Sequence, residues 1–285
     1  MKLIFGDDVT GKKKDDGLNY ECFVDKRLTA EQMRALEESQ KLRQTISEEF
    51  EPSQIICWIG NLAVVGAIGF IAIITEVIFE SSWQQFWQDL SWMLYALIAC
   101  VVIGAGYLVY FYVKGKRALQ DEKIQRDIER VDSLNKSCCD ILEIPEDAET
   151  VDVFGCIYRM KNGEPSIKKV MGVSFHNGPF GLFGTDDAVC IASLSERIAF
   201  PRAELTGIRT INKRVVMAGW NKPTHYKKGE YKQYRMTLAS GGGIIIRQYH
   251  ALCMMHDGEE YELYFPPYEL PAFERVTGLK AETAE

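Results

Sequence analysis

The sequence predicts an α+β membrane protein: a two-helix transmembrane hairpin, then a C-terminal antiparallel β domain capped by one helix. Three observations carry this. Two long apolar runs, residues 55–75 and 92–113, contain no Asp, Glu, Lys or Arg. From Ile144 the texture changes to short runs of β-branched and aromatic residues bounded by turn formers. An apolar-periodic stretch, 268–279, then closes the chain.

Four segments follow: 1–53, an N-terminal segment with one helix; 54–113, the hairpin; 114–143, a charged helical stalk; and 144–285, the β domain. Met1 to Phe5 reads as a short strand, and the stretch from Gly6 to Gly17 is too polar to pack. Gly6-Asp7-Asp8-Val9-Thr10-Gly11-Lys12 has the spacing of a phosphate-binding loop, but Lys13 stands where a hydroxyl should hold magnesium. Asp7 and Asp8 would also repel phosphate. Met1 to Phe5 is too short for a signal peptide, so the first membrane helix should itself direct insertion.

Thr29 to Phe50 reads as a helix. Thr29 and Gln32 form a capping box, and Met33, Leu36, Leu42, Ile46 and Phe50 a thin apolar stripe. Roughly 20 residues at ~1.5 Å each cross a ~30 Å hydrocarbon layer, so each apolar run suffices. The connection from Glu76 to Ser91 holds Glu76, Glu80 and Asp89 but no base, whereas Lys114, Lys116, Arg117, Lys123 and Arg126 follow the second run. Basic flanks stay cytoplasmic, so both termini are expected in the cytoplasm of a plasma-membrane, multi-pass protein. Trp83, Phe86, Trp87 and Leu90 suggest a short interfacial helix. Small residues (Gly60, Ala63, Gly66, Ala67 and Gly69; Ala96, Cys100 and Gly104) let the helices approach, within one hairpin or in a homo-oligomer. No ionisable residue lies in mid-membrane, which argues against a transporter or proton channel.

The stalk should continue the second membrane helix, with Ile124, Ile128, Val131, Cys138 and Leu142 about one per turn. Expected strands are 151–160 and 166–175 around Asn162-Gly163, then 188–193, 197–200, 205–216, 231–238, 244–255 and 259–265, the last hairpin turning at Asp257-Gly258. Residues 178–185 read as a loop, and Gly241-Gly242-Gly243 as a turn. The eight scattered cysteines are expected as reduced thiols.

The meander Tyr249 to Phe265, Pro267-Tyr268-Glu269-Leu270 and Val276-Thr277-Gly278-Leu279 give an order of strands and then one helix. Over residues 145–280 this resembles the pleckstrin-homology-like superfold. With two N-terminal helices it is similar to a group of uncharacterised bacterial two-helix membrane proteins carrying such a cytoplasmic domain. The resemblance implies a small antiparallel barrel or curved sheet, and a binding module more often than an enzyme.

No motif for catalysis, metal or cofactor emerges. His250, Cys253 and His256 sit three apart, and on a strand such residues face opposite sides. Gly172-Val173-Ser174-Phe175-His176 lacks the second glycine of a nucleophile elbow. The chain's net charge of −7 gives no global attraction to nucleic acid. Between Arg209 and Arg235, however, eight basic residues stand against Glu230 alone, interleaved with Trp220, Tyr226, Tyr231 and Tyr234. Lys213, Arg214, Lys222, Lys227, Lys228 and Lys232 are the candidate contacts to anionic lipid headgroups, where each base near an anionic leaflet gains about 1 kcal/mol. An acidic partner protein, nucleic acid or a solvated strand edge remain the other readings of this stretch. An adaptor or regulator is the expected function; a membrane-bound enzyme with a dispersed site and an oligomeric pore subunit are the alternatives.

Overall fold

The structure, a computed structural model, describes residues 1–10, 19–51, 53–80, 91–171, 180–217, 233, 234, 236–238 and 243–282. Two compact units result: Met1–Leu36 with Lys136–Glu285, and Glu37–Asn135. Among the described residues are five α-helices: α1 (Ala30–Phe50), α2 (Gln54–Glu80), α3 (Ser91–Gln120), α4 (Glu122–Ile141) and α5 (Leu270–Thr277).

In the Glu37–Asn135 unit, α2 and α3 pack along one another. Both are long and apolar enough to cross a membrane. Only 11% of the apolar window of α2 and 6% of that of α3 are buried, so neither helix is enclosed by the other described residues. Trp58, Leu62, Val65, Ile68, Tyr95, Val102 and Tyr112 face outward. Gly60, Gly66 and Gly104 lie where the helices meet, and Gly69 does not. A Cβ on Gly60 would clash with the Tyr107 ring, whereas one on Gly69 would meet nothing within 4 Å. Gly60→Leu should therefore lower the thermal midpoint in detergent, by an overpacking cost of about 1–3 kcal/mol. Gly69→Leu should leave the midpoint unchanged or raise it. Equal midpoints for the two variants would contradict this interface.

The expected continuous stalk is interrupted. α3 stops at Gln120, and Asp121 starts α4 by accepting the Lys123 N–H at 2.8 Å. An Asp followed by a Glu-led first turn is an N-terminal signal strong enough to restart a helix. Between α1 and α4, Ser39 donates to Asn135 Oδ1 at 2.8 Å and Arg130 pairs with Glu38. The interfacial helix expected around Trp83 to Leu90 lies outside the described residues.

The other unit holds sixteen described strands in three sheets, the first two mixed and the third antiparallel throughout. The first has the order β1 (Lys2–Leu3), β15 (Glu259–Phe265), β14 (Tyr249–His256), β10 (Leu205–Ile211), β16 (Ala281–Glu282). The second runs β12 (Thr237–Leu238), β13 (Ile244–Ile246), β11 (Val215–Met217), β6 (Glu164–Met171), β5 (Gly155–Lys161), β2 (Gly6–Asp8). The third runs β3 (Val24–Arg27), β9 (Glu196–Pro201), β8 (Ala188–Ala192), β7 (Phe180–Gly184), β4 (Glu149–Val151). The expected antiparallel barrel is thus corrected. β1–β15, β2–β5, β6–β11 and β10–β16 pair in parallel, and the described strands form no closed barrel.

The N-terminal segment, read as separate from the β domain, supplies an edge strand to every sheet. Gly6–Asp8, expected to stay unpacked, pairs with Cys156–Tyr158. Gly6 admits the Tyr158 ring, which a Cβ would meet at 2.8 Å. Ile4, Phe5, Tyr20 and Phe23 are buried in the main core beside Phe180, Phe200, Tyr261 and Leu263. Truncating one such side chain costs about 2–5 kcal/mol. Losing four would rival the entire ~5–15 kcal/mol by which a domain is stable.

The helix ends are tied to the sheets at one buried guanidinium. Arg197 on β9 donates to both oxygens of Asp25 on β3 (3.0 Å from Nε, 2.6 Å from Nη2) and to the Leu142 carbonyl and Glu143 just beyond α4 (3.1 and 3.2 Å). Leu28 and Leu36 pack on Cys138 and Leu142 around it. α4 ends with Glu143 in the left-handed region (φ 53°), closed by an Ile144 N–H to Cys139 carbonyl bond of 2.9 Å. At the C-terminal end Phe273 of α5 stacks on Phe265 with ring centroids 3.9 Å apart, and Arg202 donates to the Val276 and Thr277 carbonyls.

Candidate functional site

Two chain crossings between sheets build the candidate site. β10 belongs to the first sheet and β11 to the second, so Asn212, Lys213 and Arg214 form the corner between them. Arg247 and Gln248 form the return corner, from β13 to β14. Corner residues leave the ladders and turn to solvent, which suits polar and charged side chains. The corners lie side by side, and Gln248 donates to Asn212 Oδ1 at 2.9 Å.

A shallow cleft opens beside each. One, of about 570 Å³, is lined by Lys161, Asn162, Ser166, Lys213 and Arg214, with Glu164 at its rim and buried Tyr249 at its floor. The other, of about 620 Å³, is lined by Asn212, Gln233, Tyr234, Thr237, Arg247 and Gln248. Lys213 pairs with Glu164 at 3.1 Å, but the side chains are 63% and 69% exposed. A pair so open to solvent contributes at most ~1 kcal/mol, so an anion can displace it at little cost. Three cations against one carboxylate leave the first cleft positive.

Of the sequence-predicted contacts, Lys213 and Arg214 share this cleft, while Lys222, Lys227, Lys228 and Lys232 lie outside the described residues. Arg209, counted in the same basic stretch, is already engaged. It pairs with Glu262, a fully buried carboxylate on β15. Burial and that carboxylate hold the neighbouring Cys253 thiol up at about 12, so it stays protonated. Lys161 and Arg247 escaped the sequence reading. Lys161 immediately precedes the Asn162-Gly163 turn, and Arg247 interrupts an apolar run, a break that could have marked the corner.

Other buried polar groups lie away from this corner. Glu269 and Asp152 are both buried: the Asp152 N–H donates to Glu269 Oε1 at 3.1 Å, and the Tyr268 hydroxyl to Asp152 Oδ2 at 3.0 Å. Burial, then the Asp152 charge, pushes the Glu269 carboxyl up to about 8. Burial lowers His250 to about 4, leaving a neutral imidazole against Thr210 Oγ1 at 3.3 Å. Cys253 is half-buried, and His256 pairs with Glu204 at 2.9 Å. No group of three potential metal ligands occurs among the described residues. The segment from Val173 to His176 lies outside them, as do Gly241 and Gly242.

No family model, curated protein or solved structure matches the chain.

Proposed function

We propose that the chain is a two-pass membrane protein that holds a folded domain at the cytoplasmic face of the plasma membrane. That domain acts as an adaptor or regulator by binding anionic groups of lipid headgroups or of a protein partner. One observation carries the reading. Residues on both sides of the apolar hairpin, 1–36 and 136–285, build a single folded unit. A chain that crosses a bilayer between those halves must cross back before they can meet. Two crossings satisfy this, and α2 and α3 are the two helices fit to make them. The basic flanks put the shared side in the cytoplasm.

The hairpin β14–β15 followed by α5 supports a pleckstrin-homology-like order for the C-terminal part. The edge strands from the N-terminus extend that order. The binding role rests on the corner of Lys213, Arg214, Lys161 and Arg247, where exposed cations flank two polar clefts. On a tethered domain even weak headgroup contacts act at high effective concentration.

The test uses the full-length chain in neutral detergent micelles and soluble short-chain phosphatidylserine or phosphatidic acid. Native mass spectrometry should detect bound lipid that falls away as salt rises. Lys161→Glu, Lys213→Glu and Arg214→Glu together should weaken binding at least tenfold. Equal binding by the wild type and the triple variant would remove the corner as the site, and no binding by either would remove lipid as the ligand.

A further inference from the structure

We propose that the Met1–Arg27 segment makes folding of the C-terminal domain conditional on membrane topology, so that the three sheets are completed only in chains whose two ends lie on one side. The inference rests on the two-pass reading above. It goes beyond that reading by making topology a requirement for folding.

The placement of three short strands supports it. β1 is an edge of the first sheet, β2 of the second and β3 of the third. Each covers a longer strand from the far side of the hairpin: β15, β5 and β9 respectively. Main-chain bonds fix the fit, with Ile4 N–H to the Glu262 carbonyl at 2.9 Å and Cys156 N–H to the Phe5 carbonyl at 2.8 Å. Leu28 N–H donates to the Ser195 carbonyl at 3.0 Å. Side chains complete the core from the same segment: the Phe5 ring lies 5.4 Å from Phe180, and Phe23 5.3 Å from Phe200.

A chain left with one crossing places this segment ~30 Å of hydrocarbon away from its partners. β15, β5 and β9 would then be open edges over a core lacking four large side chains. Such edges invite mispairing and proteolysis. The first strands made must wait for their partners, which are synthesised only after both apolar helices. A correctly inserted chain closes all three sheets; a misinserted one stays recognisably incomplete.

The experiment compares three chains in membranes made permeable to trypsin: the wild type, a chain lacking only residues 92–113, and a chain with 92–113 replaced by a Leu/Ala span of equal length. Tags at both ends report sidedness independently. The deletion chain keeps every residue of the Met1–Leu36 and Lys136–Glu285 unit but crosses once. Its C-terminal fragment should be cut at least tenfold faster than the wild type's. Resistance should return in the Leu/Ala chain, and in the deletion chain once detergent removes the barrier between its ends.

Wild-type resistance in the membrane-bound deletion chain overturns the proposal while leaving the two-pass reading intact. So does sensitivity that persists in detergent or in the Leu/Ala chain, since crossing number would then not be the cause. A resistant wild type with tags on opposite sides overturns both.

Discussion

Replacing Arg197 by Met is expected to destabilise the unit formed by Met1–Leu36 and Lys136–Glu285 by about 1–3 kcal/mol, the cost of leaving a buried carbonyl without its donor, because the Asp25 side chain is 34% exposed and can be rehydrated. The guanidinium is buried and uses its fork on two segments: Asp25 of β3, and the Leu142 carbonyl with Glu143 just beyond α4. Met fills much of the same volume, so the loss is electrostatic. It leaves the Asp25 carboxylate and the carbonyl of fully buried Leu142 without this donor. Arg197→Lys should restore little, because a point charge cannot satisfy Asp25 bidentately and reach the carbonyl as well. Asp25→Asn combined with Arg197→Met should cost less than the sum of the single changes, since both remove one interaction. Denaturant titration of the full-length chain in detergent reads all four. Additive losses would mean that Arg197 acts by packing alone.

The Arg197 junction shows where sequence reading stops. Local signals were legible. Asn162-Gly163 and Asp257-Gly258 turn their hairpins with both residues of each pair at positive φ, and Thr29 and Gln32 exchange the bonds of a capping box at 2.8 and 3.4 Å. Each is decided within four residues. Asp25 and Arg197 are brought together only by the pairing of β3 with β9, and nothing local encodes that pairing. β2 was missed for the same reason, since three residues pairing in parallel with β5 owe their structure to a partner far along the chain. β7, part of a stretch read as a loop, is a strand in which Gly181 brings the backbone against Ala148 and Ile144.

The site was half legible. A cluster of Lys and Arg is visible as composition, but composition does not say which cations are engaged within the fold. Arg209 and Lys213 look alike in sequence, yet one points along β10 at buried Glu262 and the other stands at a corner in water. The difference comes from strand register. The apolar alternation from Leu205 to Val216 hides the break at Asn212–Arg214, where the chain changes sheets. The run from Ile244 to Met255 hides the one at Arg247–Gln248.

Glu269→Gln should abolish the pH dependence that this carboxyl gives the fold. The folded protein holds the Glu269 proton to about pH 8, against an ordinary value of 4.5, because burial and then the Asp152 charge disfavour the anion. A carboxyl with a raised folded-state pKa stabilises most when protonated in both states. Its contribution is intact below about pH 4.5, declines as pH rises towards 8, and is level above that. At ~1.4 kcal/mol per pH unit the window spans on the order of 5 kcal/mol, an upper limit because the buried site relaxes. Gln keeps a carbonyl for the Asp152 N–H and has no proton to lose. The variant should match the wild type near pH 5 and exceed it by roughly 2–4 kcal/mol at pH 8.5. Asp152→Asn removes the second cause and should flatten the wild-type decline without abolishing it. Denaturant midpoints of the full-length chain at pH 5, 7 and 8.5 give the comparison. A constant offset between the wild type and the Glu269→Gln variant at all three would mean that the carboxyl is already ionised in the fold, held by a charge that outweighs its burial.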